Sequence, residues 1–143
     1  MNPPPFARAL LGAATAGVLY GVAQVGFGFW PLVFACLAGL WLAQARVGPA
    51  RAAALGATFG FVAHAVAMGW LLPTIARFAG SEDAMGVGIA LWTAHGLWVA
   101  AGFAIASALT CVLRGRDAPW WIAGPAPLVL VEWAQPQVRS RFT

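Results

Sequence analysis

The amino-acid sequence predicts an all-α protein, a polytopic bundle of about five transmembrane helices. Three observations favour this fold class: 62% of the 143 residues are hydrophobic, only 8% are charged, and the mean hydropathy is +0.80. A soluble domain has about a quarter charged residues. A chain with so little polar surface cannot enclose a core against water, so lipid is the solvent that suits it.

Five apolar runs supply the predicted helices, since crossing about 30 Å of hydrocarbon takes about 20 helical residues. The runs cover roughly 9–26, 31–45, 52–72, 85–113 and 119–134. Pro125 and Pro127 in the fifth run predict a kink or a broken first half. The first run has only one positive charge before it and four further runs follow it, so a membrane helix is a better interpretation than a cleaved signal peptide.

The arginines predict the orientation of the bundle, because cytoplasmic segments of membrane proteins carry an excess of basic residues. All eight basic residues are arginine. Five of them fall on one side of the predicted membrane, at positions 8, 46, 51, 114 and 116. Arg77 falls on the other side, beside Glu82 and Asp83. We therefore expect a cytoplasmic N-terminus and a periplasmic C-terminus. The arginines form no basic stripe along the sequence, so binding to nucleic acid is not predicted.

The C-terminal segment 139–143, a basic tail, breaks this charge rule. Its residues RSRFT differ in composition from the bundle that we place at 1–138. This change predicts a truncation, a frameshifted reading frame or a split gene.

Small residues and cysteines predict packing rather than chemistry. Gly17 and Gly21 are four residues apart, as are Gly56 and Gly60, the spacing at which helices approach closely in membranes. The two cysteines lie in separate apolar runs without the spacing of a disulfide or zinc motif. We therefore predict no catalytic residue, no metal site and no cofactor, with the histidine pair described next as the alternative.

His64 and His95, the only histidines, are predicted to lie inside the membrane. Each is eight to ten residues from the outer end of its helix, which places it about 12–15 Å deep. The two helices are sequential and antiparallel, so the imidazoles can face one another. An intramembrane polar residue indicates function by default. The pair could ligate haem, or bind a quinone-like ligand, or simply form hydrogen bonds between helices.

Glu132 is predicted to lie at the outer end of the fifth helix, next to Trp133. A carboxylate at that depth meets headgroups, water or an arginine from a neighbouring loop. Arg77 in the outer loop is the candidate partner, which would tie the fifth helix to that loop.

Three stretches together resemble the apolipoprotein N-acyltransferase family. FGFWP is similar to a turn between the first two helices of that family, GWLLPTIARFAG resembles the exit of the third helix, and LVLVEWAQPQ resembles a helix that ends in Glu-Trp. The resemblance extends to about residue 138. It implies an outer lip that handles substrate, formed by residues of these motifs: Trp70, Phe78, Glu132 and Trp133.

The resemblance also implies a bacterial inner-membrane enzyme that moves an acyl chain from a phospholipid to a lipoprotein. Family members attach a nitrilase-like domain with a Glu-Lys-Cys triad to the helical bundle. This chain contains no lysine. We therefore expect it to be inactive alone, with membrane phospholipid and a separately encoded nitrilase-like domain as its partners. The alternatives are a small membrane binding module that uses the histidine pair, and a purely structural bundle.

Overall fold

The computed structural model of the chain describes residues 6–24, 29–79 and 82–139, and all regular structure in these ranges is helical. The helices in chain order are α1 (Phe6–Gln24), α2 (Trp30–Gln44), α3 (Pro49–Ala67), α4 (Leu71–Ala79), α5 (Glu82–Arg114), α6 (Trp120–Ala123) and α7 (Pro125–Arg139). This all-helical architecture, with several long apolar helices, is that of a membrane helix bundle. The predicted end of the first helix at residue 26 and the tail beyond Arg139 lie outside the described residues.

Three helices are long and apolar enough to cross a membrane: α1, α3 and the segment Met85–Arg114 of α5. Helix α2 is apolar but has only 15 residues. At about 1.5 Å per residue it spans about 22 Å, which is less than the hydrocarbon thickness. The sequence predicted five spans, and in the described part of the chain three helices meet the length of a span.

The third helix was predicted over 52–72, a range that extends past the end of the helix in the structure. In the structure α3 stops at Ala67, and the Met68 amide closes the last turn on the His64 carbonyl at 2.8 Å. A turn through Gly69 then leads into α4, a separate helix in the stretch that the sequence assigned partly to a loop. Hydropathy could not locate this break because the apolar residues continue through the turn and into one face of α4.

The fifth predicted helix is broken, as its prolines indicated. Helix α6 ends at Ala123 and α7 begins at Pro125, where a proline costs no hydrogen bond in the first turn. Gly124 lies between them, and a Cβ there would come within 2.9 Å of the Trp41 ring. Helix α7 then continues to Arg139, beyond the predicted end at residue 134, with Pro136 inside it.

Helix α3 lies between α1 and α5 and is the centre of the bundle, while α2 packs on α1 and α7 packs on α5. The glycine pairs allow these contacts. A Cβ at Gly17 would lie 2.7 Å from the Phe59 carbonyl oxygen of α3, and a Cβ at Gly60 would lie 2.8 Å from the Phe103 ring of α5. The predicted packing role of the glycines is therefore confirmed.

The core is small and lies where α1, α2, α3 and α5 meet. Phe59 and Leu55 of α3 are fully buried there, and the Phe59 ring is 5.1 Å from Phe103 and 5.2 Å from Tyr20, centroid to centroid. Many large apolar side chains instead point outward, among them Leu11, Leu42 and Trp120. An apolar exterior of this kind suits a protein whose solvent is lipid.

Candidate functional site

A cavity of about 330 Å³ opens between α1, α3, α5 and α7. Its polar lining consists of Tyr20 and Gln24 from α1, His64 from α3, His95 from α5, and Glu132 from α7. Apolar side chains, including Val99, Phe103 and Leu128, complete the wall. This is the place in the described structure where the polar residues of four different helices converge.

The two histidines lie against each other on one side of the cavity. Their ring centroids are 5.0 Å apart, with an angle of 58° between the planes. His64 is buried, with 5% of its surface exposed, whereas His95 is exposed. The sequence placed both residues at similar depth on antiparallel neighbours, and the structure brings the rings into contact.

His64 is held by a hydrogen bond to the backbone of α5. Its Nε2–H donates to the Trp92 carbonyl oxygen at 3.1 Å. A carbonyl only accepts, so Nε2 carries the proton and, in the neutral ring, Nδ1 is left as an acceptor. Gly96 makes this approach possible, because a Cβ there would lie 2.7 Å from Cδ2 of His64.

A second hydrogen bond runs across the same interface in the opposite direction. The Trp92 indole Nε1–H donates to the Met68 carbonyl oxygen at 3.0 Å, just past the end of α3. The indole ring is also 5.1 Å from the His64 imidazole, centroid to centroid. Trp92 therefore fixes both the histidine and the C-terminal turn of α3, a role that the sequence did not indicate.

Bis-histidine ligation of haem does not fit this arrangement. With metal–nitrogen bonds of about 2 Å, an ion between two facing imidazoles requires ring centroids about 6 Å apart, and a macrocycle requires open space around the ion. The observed separation is 5.0 Å, and Nε2 of His64 is engaged with Trp92. The geometry gives no support to haem ligation, and both haem and a quinone-like ligand remain predictions.

Glu132 lines the same cavity as His64 and His95. The sequence did not indicate that the carboxylate and the histidine pair share one site. The predicted pairing of Glu132 with Arg77 was wrong. Arg77 is exposed on α4, and α4 packs on α5 without contacting α7. In the described part of the chain the two residues therefore form no ion pair.

Tyr20 and Gln24 also line the cavity, although the sequence did not indicate a functional role for either residue. They are four residues apart, which places them on one face of α1. The available signal was weak: Tyr20 is the single tyrosine of the chain, and Gln24 is the one amide in an apolar helix.

The remaining residues of the predicted lip do not line the cavity. Trp70 lies in the turn before α4, Phe78 lies near the end of α4, and Trp133 lies on α7. All three are largely exposed, and Phe78 most of all at 81%. They form an apolar exterior near the end of the bundle that bears the cavity.

The cavity is equipped for binding rather than for covalent chemistry. Its lining includes hydrogen-bond donors, acceptors and a carboxylate, but no cysteine, serine or lysine. Cys36 is buried in α2, and Cys111 donates its thiol hydrogen to the Val47 carbonyl oxygen at 3.1 Å. In the described residues, no three His, Cys, Asp or Glu side chains cluster as metal ligands would.

Comparison with known protein families gives a match over most of the chain. The family model for the apolipoprotein N-acyltransferase N-terminal domain matches residues 16–142, a range that includes every residue lining the cavity. No curated protein and no solved structure matches the chain significantly. Since the family model covers most of the sequence, this chain belongs to the apolipoprotein N-acyltransferase N-terminal domain family.

Proposed function

We propose that this chain is the membrane-embedded part of an apolipoprotein N-acyltransferase-like system, and that its cavity holds an acyl-carrying phospholipid. The observation that carries the proposal is the mixed lining of the cavity, within a chain of this family. Val99, Phe103 and Leu128 offer apolar surface to an acyl chain, while the polar wall offers hydrogen bonds to ester and headgroup oxygens.

Glu132 gives the cavity a preference among ligands. A carboxylate in a partly apolar wall binds a cationic group better than a second anion. An ammonium group, whether on a lipid headgroup or at the N-terminus of an acceptor peptide, suits this position. The Tyr20 hydroxyl and the Gln24 amide, one turn apart on α1, can then donate to oxygens of the same ligand.

The bundle is proposed to lie in the bacterial inner membrane, with the cavity in its periplasmic half. The distribution of arginines supports this orientation, because Arg46 and Arg51 lie in or beside the connection from α2 to α3 at the opposite end. Trp70, Arg77, Phe78 and Trp133 would then lie at the periplasmic boundary, where exposed aromatic rings fit the headgroup region.

The covalent steps are proposed to belong to a nitrilase-like domain outside these 143 residues. A Glu-Lys-Cys triad needs a lysine, and this chain has none. We therefore expect no acyl transfer by this chain alone.

Photocrosslinking tests the lipid proposal directly. The purified chain is reconstituted with a phospholipid whose acyl chain carries a diazirine, and labelled residues are mapped by mass spectrometry. We expect labels on cavity residues, and a severalfold loss in Leu128→Trp, which fills the cavity. Leu130→Trp is the matched control, because Leu130 is exposed on the same helix. Equal labelling of both variants at all positions would refute a lipid site in the cavity.

A second experiment tests whether the covalent steps require a separate nitrilase-like domain. The chain is expressed with and without a separate nitrilase-like catalytic domain of the family, and N-acylation of a lipoprotein peptide is followed by mass spectrometry. Acylation is expected only when both polypeptides are present. Acylation by this chain alone would overturn the proposal that the reactive groups lie elsewhere.

Cysteine labelling tests the orientation. In a background with Cys36→Ala and Cys111→Ala, Gly48→Cys and Phe78→Cys place single thiols at opposite ends of the bundle. Both positions are exposed, and a Cβ at Gly48 meets nothing within 4 Å. In spheroplasts, an impermeant maleimide should label position 78 but not position 48; the reverse pattern would invert the proposed topology.

A further inference from the structure

A second cavity, of about 380 Å³, lies at the opposite end of the bundle from the histidine pair. It is formed by the N-terminal part of α1, the C-terminal part of α2 and the start of α3. Three arginines line it: Arg8 of α1, Arg46 just after α2, and Arg51 of α3. None of its lining residues is acidic. Three of the eight basic residues of the chain therefore converge from three segments on one cavity.

The helix ends add to this positive potential. Helices α1 and α3 both begin at this end, and neither has an acidic residue in its first turn. Gly48, the residue before α3, provides no side-chain cap for the free amides. Two helix N-termini thus contribute partial positive charge without an internal counter-charge. A cation–π contact holds the Arg51 side chain, because its guanidinium carbon lies 5.5 Å from the centroid of the Phe6 ring.

The rest of the cavity is an apolar groove that runs away from the arginines between α1 and α2. Gly12 of α1 and Gly39 of α2 line it, and a Cβ at either position would meet nothing within 4 Å. Unlike Gly17 and Gly60, these glycines are not required for helix contact. They leave open space beside Leu40 and Ala16, which is suitable for a hydrocarbon chain.

We infer that this second cavity is a binding site for an anionic glycerophospholipid of the leaflet at that end, with the phosphate among Arg8, Arg46 and Arg51 and an acyl chain in the groove. The charge complementarity selects an anion, and the continuous apolar groove selects a lipid rather than a free phosphate. Basic pockets between helices at the cytoplasmic surface bind anionic lipids in this manner. The bound lipid would join the start of α1, the end of α2 and the start of α3.

Native mass spectrometry with paired variants tests the charge requirement. The purified chain is mixed in detergent with equal amounts of phosphatidylglycerol and phosphatidylcholine of the same acyl chains. The experiment is run in a Leu128→Trp background, in which the first cavity is filled, and we expect this parent protein to retain mainly phosphatidylglycerol. Each arginine near a bound anionic lipid contributes about fivefold in affinity, so Arg8→Gln/Arg46→Gln should bind it about 25-fold more weakly. Arg77→Gln/Arg116→Gln removes the same charge elsewhere and should retain the binding of the parent protein; equal losses in both pairs would overturn the site.

A groove-filling variant tests the apolar half without changing charge. Gly39→Leu places a side chain in the open groove and should reduce retention of phosphatidylglycerol severalfold. Gly86→Leu is the control, since a Cβ at Gly86 also meets nothing within 4 Å but lies outside the cavity. Unchanged retention in Gly39→Leu would show that no chain occupies the groove and would refute the lipid assignment.

Competition separates the lipid from a soluble phosphate. Glycerophosphoglycerol, the headgroup without acyl chains, is added at tenfold excess over phosphatidylglycerol. We expect it to displace little lipid, because half of the site is apolar. Full displacement would show an anion site without a chain, and binding of both lipids in equal amounts would show that the arginines are only solvated charges.

Discussion

His64 and Trp92 are joined across the α3–α5 interface by hydrogen bonds that run in both directions. The imidazole Nε2–H donates to the Trp92 carbonyl oxygen at 3.1 Å, and the Trp92 indole donates to the Met68 carbonyl oxygen, four residues after His64, at 3.0 Å. Each bond satisfies a polar group that would otherwise face lipid or apolar side chains. The histidine that the sequence marks as functional is thus positioned by the helix that carries the second histidine.

The first prediction concerns Gly96, which makes room for His64. In Gly96→Val, the Cβ would lie 2.7 Å from Cδ2 of His64 and 3.1 Å from the Phe61 ring. The imidazole must move away from Trp92, so we expect a loss of about 1–3 kcal/mol in the free energy of unfolding. Titration with SDS in mixed micelles, followed by circular dichroism, measures it. Gly86→Val is the control on the same helix, and equal stability of the two variants would contradict this packing.

The second prediction concerns the strength of the two hydrogen bonds. Hydrogen bonds between membrane helices contribute about 0.6 kcal/mol on average and up to about 1.7 kcal/mol. We expect His64→Phe and Trp92→Phe each to destabilise the bundle within this range. Since the two rings are also in contact, the double variant should lose less than the sum of the single variants. A strictly additive double-mutant cycle would show that the two side chains do not act together.

The third prediction contrasts two glycines of α1. Gly17→Leu should separate α1 from α3, because its Cβ would lie 2.7 Å from the backbone oxygen of Phe59, which cannot rotate away. A cost of about 1–3 kcal/mol or more is expected. Gly12→Leu meets open space and should be neutral or stabilising by up to about 1 kcal/mol, since leucine favours the helix. Thermal unfolding in detergent compares the two.

The fourth prediction concerns the buried pair Gln44 and Ser107. The Gln44 amide Nε2–H donates to the Ser107 hydroxyl at 2.8 Å, and Gln44 is only 2% exposed. Its carbonyl oxygen Oε1 is buried and has no hydrogen-bond partner in the described part of the chain. Ser107→Ala leaves a buried donor unsatisfied as well, so a loss of about 1–3 kcal/mol is expected.

Removing both polar groups of this pair should cost little free energy of unfolding. Gln44→Met/Ser107→Ala removes both polar groups and the unsatisfied oxygen, and we expect it to be close to the wild type in the free energy of unfolding. The same SDS titration measures both variants. A double variant less stable than Ser107→Ala alone would show that the amide is required for another reason.

The candidate site depends on how each helix is rotated about its own axis, and the sequence does not predict this rotation. The hydropathy runs located His64, His95 and Glu132 along their helices, and the antiparallel connection brought the two histidines to similar depth. Whether they face one cavity depends on the angle of each helix about its own axis. That angle is decided by contacts such as Gly17 on Phe59 and Gly60 on Phe103, which involve residues far apart in the chain. For the same reason Tyr20 and Gln24 were missed and the pairing of Arg77 with Glu132 was wrong.

The amino-acid sequence was enough to predict a helical bundle with an apolar exterior, the packing of helices at the glycine pairs, and the acyltransferase family. The first two properties follow from composition and local spacing, and the third follows from the resemblance of three short motifs; all of these are the same in any arrangement of the helices. The three-dimensional structure was needed to show that α3 ends at Ala67, that α4 packs on α5 away from α7, and that five polar residues share one cavity. These properties depend on contacts between helices, where close approach at a glycine sets which faces meet.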